Sequence, residues 1–113
     1  MNRLIATASA VLILFTSFTH SALAGETSGE GAVLFGQHCA GCHVNGGNII
    51  RRGKNLKLAT LQRHGLDSTD AIANIARNGI GQMSGYGDQL GEGGDELVAT
   101  WILEQAQNAW IQG

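Results

Sequence analysis

Two cysteines stand three residues apart, with a histidine directly after the second, in Cys39-Ala40-Gly41-Cys42-His43. They are the only cysteines in the chain. That spacing suits covalent attachment of a c-type haem. Thiols separated by about one helical turn lie on one face, where both can add to the porphyrin vinyl groups. The next residue, His43, then lies beneath the ring with its imidazole available to the iron. Cys39 and Cys42 are the candidate anchors, and His43 is the candidate proximal ligand.

Such an iron needs a sixth ligand or an open side. The candidates are Met83, His38 and His64. Lone methionines are usually core filler. Met83, however, sits in Gly79-Ile80-Gly81-Gln82-Met83-Ser84-Gly85-Tyr86-Gly87, a glycine-rich stretch with no helical stripe for it to join. A thioether favours Fe(II) relative to a second imidazole and raises the reduction potential. His38 directly precedes the first cysteine and is poorly placed to reach the opposite face. His64 stands near a helix end. Met83 is therefore favoured as the distal ligand. An iron left open on that side would instead suit a haem-based sensor or a peroxidase-like protein. A thioredoxin-like dithiol needs βαβ surroundings that the sequence lacks. A zinc site would have to force Cys39, Cys42, His43 and His38 into poor geometry.

The elements that must carry these residues begin after a leader. Met1-Asn2-Arg3 has one positive charge, an uncharged apolar run extends from Leu4 to Phe18, and Ala22-Leu23-Ala24 is a small-x-small cleavage box. This is the pattern of a secretory signal peptide, residues 1–24, cleaved after Ala24. The alternative, an uncleaved anchor, is suggested by the length of the run, but the box lies where the segment ends. Cleavage leaves residues 25–113 as one domain of 89 residues, short for a generous core. All 17 glycines fall in it, about a fifth of its length against an average of about 7 %, and proline is absent. Backbone this rich in glycine suggests close wrapping around something that is not protein. With Arg3 gone, six basic residues face nine acidic ones, a net charge of −3, which argues against nucleic acid as a partner. No second apolar run exists, so stable membrane insertion is not expected.

Helical periodicity dominates, and no segment alternates as a strand would. Thr27-Ser28-Gly29-Glu30 fits a capping box for a helix from about Ser28 to Cys39. Val44 to Leu56 is an irregular loop with a basic end at Arg51, Arg52, Lys54 and Lys57. A short helix from Lys57 to His64 stops at Gly65. Asp67 or Ser68 caps a third helix with Ile72, Ile75, Ala76 and Gly79 on one stripe, ending at Asn78-Gly79. Residues 79 to 87 are loop by composition. A last helix runs from near Asp95 to about Trp110, with Leu97, Val98, Trp101, Ile102, Ala106 and Ala109 as its apolar positions. The expected fold is all-α, about four helices wrapped around one covalently bound haem.

Gly31-x-x-x-Phe35-x-x-x-Cys39-x-x-Cys42-His43, then Asn78-Gly79-x-x-x-Met83 and a last helix bearing Trp101, resembles a class I c-type cytochrome. Within that class the chain is similar to cytochrome c6 (cytochrome c553) of cyanobacteria and algal plastids, over essentially all of residues 25–113. The resemblance implies one covalent haem c. It implies a steep crossing of Gly31 and Phe35 against the last helix near Trp101, and a backbone carbonyl after His43 that orients the imidazole through Nδ1. Lys54 and Lys57 are implied as contacts to the haem propionates, and Gln82 and Tyr86 as haem surroundings. The implied activity is one-electron transport without enzymatic turnover. The implied route runs in the thylakoid lumen or the periplasm, as a monomer, from the cytochrome b6f complex (cytochrome f) to photosystem I or a terminal oxidase. The family usually has proline after the ligand methionine, where Ser84 stands, and often a proline at the position of Arg52. These departures are expected to loosen the ligand loop and raise the entropy of the unfolded chain. With Gln82 where a small residue is usual, they resemble the cytochrome c6-like side branch. The docking charge is expected on Arg51, Arg52, Lys54 and Lys57, or on Asp88, Glu92, Asp95 and Glu96.

Overall fold

The computed structural model describes residues 23–111. Most of the leader, and with it the question of its cleavage, lies outside the described residues. Five α-helices and one small β-hairpin follow in order: α1 Leu23–His38, α2 Leu58–Arg63, α3 Thr69–Asn78, β1 Gly79–Ile80, β2 Met83–Ser84, α4 Gly87–Leu90 and α5 Gly94–Gln107. The fold is helical, as the periodicity required.

Helix α1 starts earlier than the expected boundary at Ser28, and the Thr27 capping box lies inside it. Leu23, Ala24 and Glu26 are strong helix formers, so continuing the helix is easier than stopping at Thr27. The Asn-rich stretch between α1 and α2 holds two 3₁₀ turns, Val44–Gly46 and Arg52–Lys54. Helix α2 ends with Gly65 at φ +66° and a Leu66 N–H that donates to the Leu61 carbonyl at 2.8 Å. That six-to-one bond is the Schellman stop anticipated for Gly65. Ser68 caps α3 by accepting from Ala71 N–H at 3.2 Å.

Residues 79–87 are not plain loop. Gly79 pairs with Ser84 and Ile80 with Met83 in an antiparallel ladder, and Gly81 (φ +56°) is the first residue of the two-residue turn. A glycine with positive φ at that position gives a turn whose twist matches a hairpin. Helix α4 follows from Gly87, in a stretch where the sequence predicts no helix. The end of α5 is a further correction. The helix stops at Gln107, and Ala109 and Trp110 adopt φ of +54° and +57°. Ala109 is exposed rather than part of the apolar face, while Trp110 turns back into the core.

The core is small and lies where α1 and α3 cross α5: Phe35, Ile72, Ala73, Ala76, Val98, Ala99, Ile102 and Ala106, with Leu61 from α2 and Leu90 from α4. Phe35 packs against Trp101 and Trp110 with ring centroids 4.8 and 5.5 Å away. Close approach of α1 to α5 depends on Gly31, where a Cβ would stand 2.5 Å from the Leu97 carbonyl oxygen and 2.7 Å from Trp101 Cβ. Neither is a flexible side-chain end. Gly31→Ala is expected to cost about 1–3 kcal/mol through overpacking. At Gly29 or Gly36 in the same helix, a Cβ meets nothing within 4 Å. There the same change is expected to add about 0.5–1 kcal/mol. Denaturant unfolding of the three variants checks the opposite signs.

Candidate haem site

The Cys39–His43 segment forms one further turn at the end of α1. Cys39 and Ala40 N–H donate to the Phe35 carbonyl at 2.9 and 2.8 Å, and His43 N–H donates to the Cys39 carbonyl at 3.0 Å. A helical bond from residue 43 to residue 39 puts Cys39 and Cys42 on one side of the turn. Both thiols are free. Cys39 is half-buried and its thiol is pushed up to about 11 by that burial, whereas Cys42 is exposed. Among the described residues, no three His, Cys, Asp or Glu side chains group to hold a metal ion, and no βαβ unit surrounds the pair.

His43 is half-buried, and its Nδ1 lies 2.8 Å from the Gly47 carbonyl oxygen. Sequence could not say which carbonyl does this. A carbonyl only accepts, so Nδ1 carries the proton and Nε2 keeps its lone pair for a metal. Gly47 is held by its own N–H, which donates to the Val44 carbonyl at 2.9 Å. Gly46, at φ +75°, packs directly against the Trp110 indole, and the indole Nε1–H donates to the Leu56 carbonyl at 3.0 Å. Trp110 thereby ties the end of the chain to both ends of the loop that positions His43. The sequence offered no pointer to that role beyond the aromatic residue itself.

Beside this loop lies a cleft of about 360 Å³ lined by Val44, Gly47, Asn48, Ile49, Arg52, Asn55 and Lys57. Val44 and Ile49 are exposed apolar side chains in its wall. Lys57 borders the cleft, whereas Lys54 is exposed outside its lining. The donor set and these apolar walls fit a haem: paired thiols, an imidazole fixed in the ligating tautomer, and apolar surface without a protein partner.

Met83 is half-buried on β2, and Gln82 is exposed at the adjoining turn. Tyr86 is half-buried against the core, and its N–H donates to the Ala76 carbonyl at 2.8 Å. The hairpin is closely fitted onto the end of α3. A Cβ on Gly79 would strike the Met83 carbonyl oxygen, and one on Gly85 would lie 2.5 Å from the Arg77 carbonyl oxygen. Without proline after Met83, the ladder and the Tyr86–Ala76 bond hold this backbone. The expected loosening is countered there. His38 is half-buried with its ring 6.4 Å from Tyr86, and His64 is exposed beyond α2.

An ion pair fixes the end of α3 beneath the hairpin. Arg77 Nε donates to Asp95 Oδ2 at 2.7 Å, and a second guanidinium nitrogen contacts the same oxygen. The Arg77 hydrogen bond holds the Asp95 carboxyl below its usual range, against the upward push of burial. A carboxyl with a depressed folded pKa contributes stability above its unfolded value of about 3.9 and loses it as pH falls through the folded value. Asp95→Asn is expected to cost about 1–2 kcal/mol at neutral pH, the half-exposed Arg77 screening the pair. The gap to the parent protein should close as pH falls below about 4, which chemical unfolding across pH checks.

Among the described residues no helix is long and apolar enough to cross a membrane. A family model described as cytochrome c oxidase, cbb3-type, subunit III matches residues 26–102. Relatives matched along most of their length narrow the family. A "cytochrome c6-like" protein of Nostoc sp. is 48 % identical over 88 % of each chain. A cytochrome c6 of Thermostichus vulcanus is 34 % identical over 96 % of each. Among solved structures, a cytochrome c6B from Synechococcus sp. is 90 % identical, with a TM-score of 0.74 over 76 % of this chain and 98 % of that one. A cytochrome c6C from another Synechococcus strain is 49 % identical, with a TM-score of 0.67 over 70 % and 96 %. These proteins carry one covalent haem c, for which Cys39 and Cys42 supply the motif, and they transport electrons rather than catalyse a reaction. The helical domain, the paired thiols and the length of these matches together assign the chain to the cytochrome c6 family of class I c-type cytochromes, on its c6-like branch.

Proposed function

We propose that this protein is exported by cleavage after Ala24 and shuttles single electrons between membrane redox complexes in the thylakoid lumen or periplasm, with His43 and Met83 as axial ligands of its haem iron. The donor would be a cytochrome b6f complex and the acceptor photosystem I or a terminal oxidase, by resemblance to the family. The observation that carries the reading is the 2.8 Å contact between His43 Nδ1 and the Gly47 carbonyl. It leaves Nε2 as a ligand of fixed orientation. The haem supplies the Fe(II)/Fe(III) couple. The chain's part is to attach the group through Cys39 and Cys42, fix the imidazole, hold the thioether of Met83 on a pinned hairpin and exclude water with Val44 and Ile49. Lys57, on the cleft wall, is suited to a propionate, whereas Lys54 stands outside that wall. Iron with two protein ligands has no vacant position for a substrate, which favours outer-sphere transfer through a small transient interface.

Protein matured with its haem provides the test. Its optical spectrum should show the weak red charge-transfer band of an iron–thioether bond. Haem without that band would indicate an open iron suited to a sensor or peroxidase-like role, and failure to attach haem would end the reading. Gln82, exposed beside Met83, is expected to tune the couple through its polarity. Gln82→Ala should therefore shift the reduction potential measured by titration. An unchanged value would remove Gln82 from the account.

A further inference from the structure

The hairpin that carries Met83 has little restraint of its own, because each strand is two residues long. Ser84 and Gly85 follow Met83, and neither fixes φ as a proline would. Beneath its exit lies Arg77, the penultimate residue of α3. A Cβ on Gly85 would stand 2.5 Å from the Arg77 carbonyl oxygen. One on Gly87 would stand 3.1 Å from Arg77 Cγ and 3.2 Å from the same oxygen. Gly85 and Gly87 therefore rest directly on the Arg77 backbone and on the stem of its side chain. Tyr86, between them, is tied to Ala76, the residue before Arg77.

The far end of the same side chain reaches α5. Arg77 Nε donates to Asp95 Oδ2 at 2.7 Å, and a second guanidinium nitrogen donates to the same oxygen. Asp95 stands in the first turn of α5 and is only 7 % exposed. Arg77 thus spans from the exit of the hairpin to the buried start of the central helix. No neighbour can replace it, since residues 67–111 contain no other lysine, arginine or histidine. A cleft of about 550 Å³ at this corner is lined by Arg77 with Asp88, Glu92, Asp95 and Glu96. Without the guanidinium, α4 and the start of α5 would face each other across like charges. Asp95 would also be left as a buried carboxylate without its donor.

We propose that Arg77 is a positioning residue for the distal ligand, a strut from Gly85 and Gly87 to Asp95 that keeps the Met83 hairpin closed against groups able to displace the thioether. This rests on the reading of Met83 as an axial ligand. A thioether is a neutral, soft donor. Its hold on iron therefore depends on how readily the backbone behind it can move away. The strut ends on α5 and makes no contact with the turn that carries His43. Its loss should open residues 79–87 as a local unit and leave the proximal side as it was.

Arg77→Met keeps the stem against Gly87 and removes the donors. In the ferric holoprotein the affinity for added imidazole, which competes with Met83, should rise about tenfold, equivalent to about 1.4 kcal/mol. Arg77→Lys, with stem and charge but no fork, should recover part of that change. High salt should lessen the effect in Arg77→Met by screening the carboxylates of the cleft. In the reduced holoprotein, the Tyr86 N–H should exchange with deuterium faster by a similar factor. The His43 N–H, bonded to the Cys39 carbonyl, should keep its parent rate. Ile72→Val, a core change in the same helix, should weaken the fold without raising the imidazole affinity. An unchanged imidazole affinity in Arg77→Met, parallel acceleration of both amides, or an equal rise for Ile72→Val overturns the proposal. Failure of the ligand reading shows instead in the parent protein, which would lack the red band and bind imidazole freely, and it takes the proposal with it.

Discussion

Gly46→Ala should destabilise the haem-loaded protein by about 3 kcal/mol or more, a large loss for one methyl group. Three effects add. Alanine at φ +75° pays the left-handed penalty of about 1–2 kcal/mol. Its Cβ would collide with Cε2, Nε1 and Cδ2 of Trp110, which sit directly against Gly46, and overpacking of this kind costs about 1–3 kcal/mol. Displacing the indole also breaks its bond to the Leu56 carbonyl, a further loss of about 0.5–1.5 kcal/mol. The effect reaches the site because Gly47, the next residue, carries the carbonyl that holds His43 Nδ1. Denaturant unfolding measures the first part, and the visible spectrum near neutral pH reports any change around His43. Trp110→Phe separates the contributions, since it keeps a ring but removes the donor and should cost less. A loss below about 1 kcal/mol for Gly46→Ala would mean that the indole moves aside freely.

That prediction depends on contacts the sequence did not disclose, and the reason is physical. Spacing within one turn is local, so Cys39, Cys42 and His43 could be placed from the motif alone and fall on one turn at the end of α1. Capping is local too, and Ser68 and Gly65 act where composition put them. The periodicity places Trp110 at the end of the last helix, whereas its position is fixed by Gly46 and Leu56, more than fifty residues away. Two consecutive non-glycine residues at positive φ have no local signature. They are tolerated only because burial of the indole compensates the strain. The hairpin at 79–84 is illegible in the sequence for another reason. Each strand has two residues, too few to show alternation, and the informative feature was Gly81-Gln82 between two apolar residues. The carbonyl that orients His43 belonged to one of several candidate glycines and asparagines, and only the folded loop selects Gly47.

Met83→Leu should abolish the red charge-transfer band and lower the reduction potential by on the order of 0.1–0.3 V, a share of the span that axial ligation controls. Leucine conserves the apolar volume of methionine and is tolerated at packing positions for less than about 1.5 kcal/mol, so the substitution removes the thioether while keeping the bulk. If Met83 is only filler, spectrum and potential stay as they were and its role as a ligand is refuted. The surroundings argue for a large effect. Met83 pairs with Ile80 in the ladder, Gly79 at φ +76° lies directly against its carbonyl, and Tyr86 fastens the exit to Ala76. Backbone held on both sides lets the side chain meet a metal with little further ordering, which is how preorganisation strengthens a soft, neutral ligand. The same rigidity limits substitutes. His38 and His64 lie on other elements, one beside Tyr86 and the other exposed beyond α2, and cannot move into the hairpin's place without disrupting the core. The variant should therefore admit added imidazole, with a spectral change that the parent protein does not show at the same concentration. Absence of imidazole binding together with loss of the band would mean that the hairpin itself had collapsed, which the unfolding curve of the same variant distinguishes.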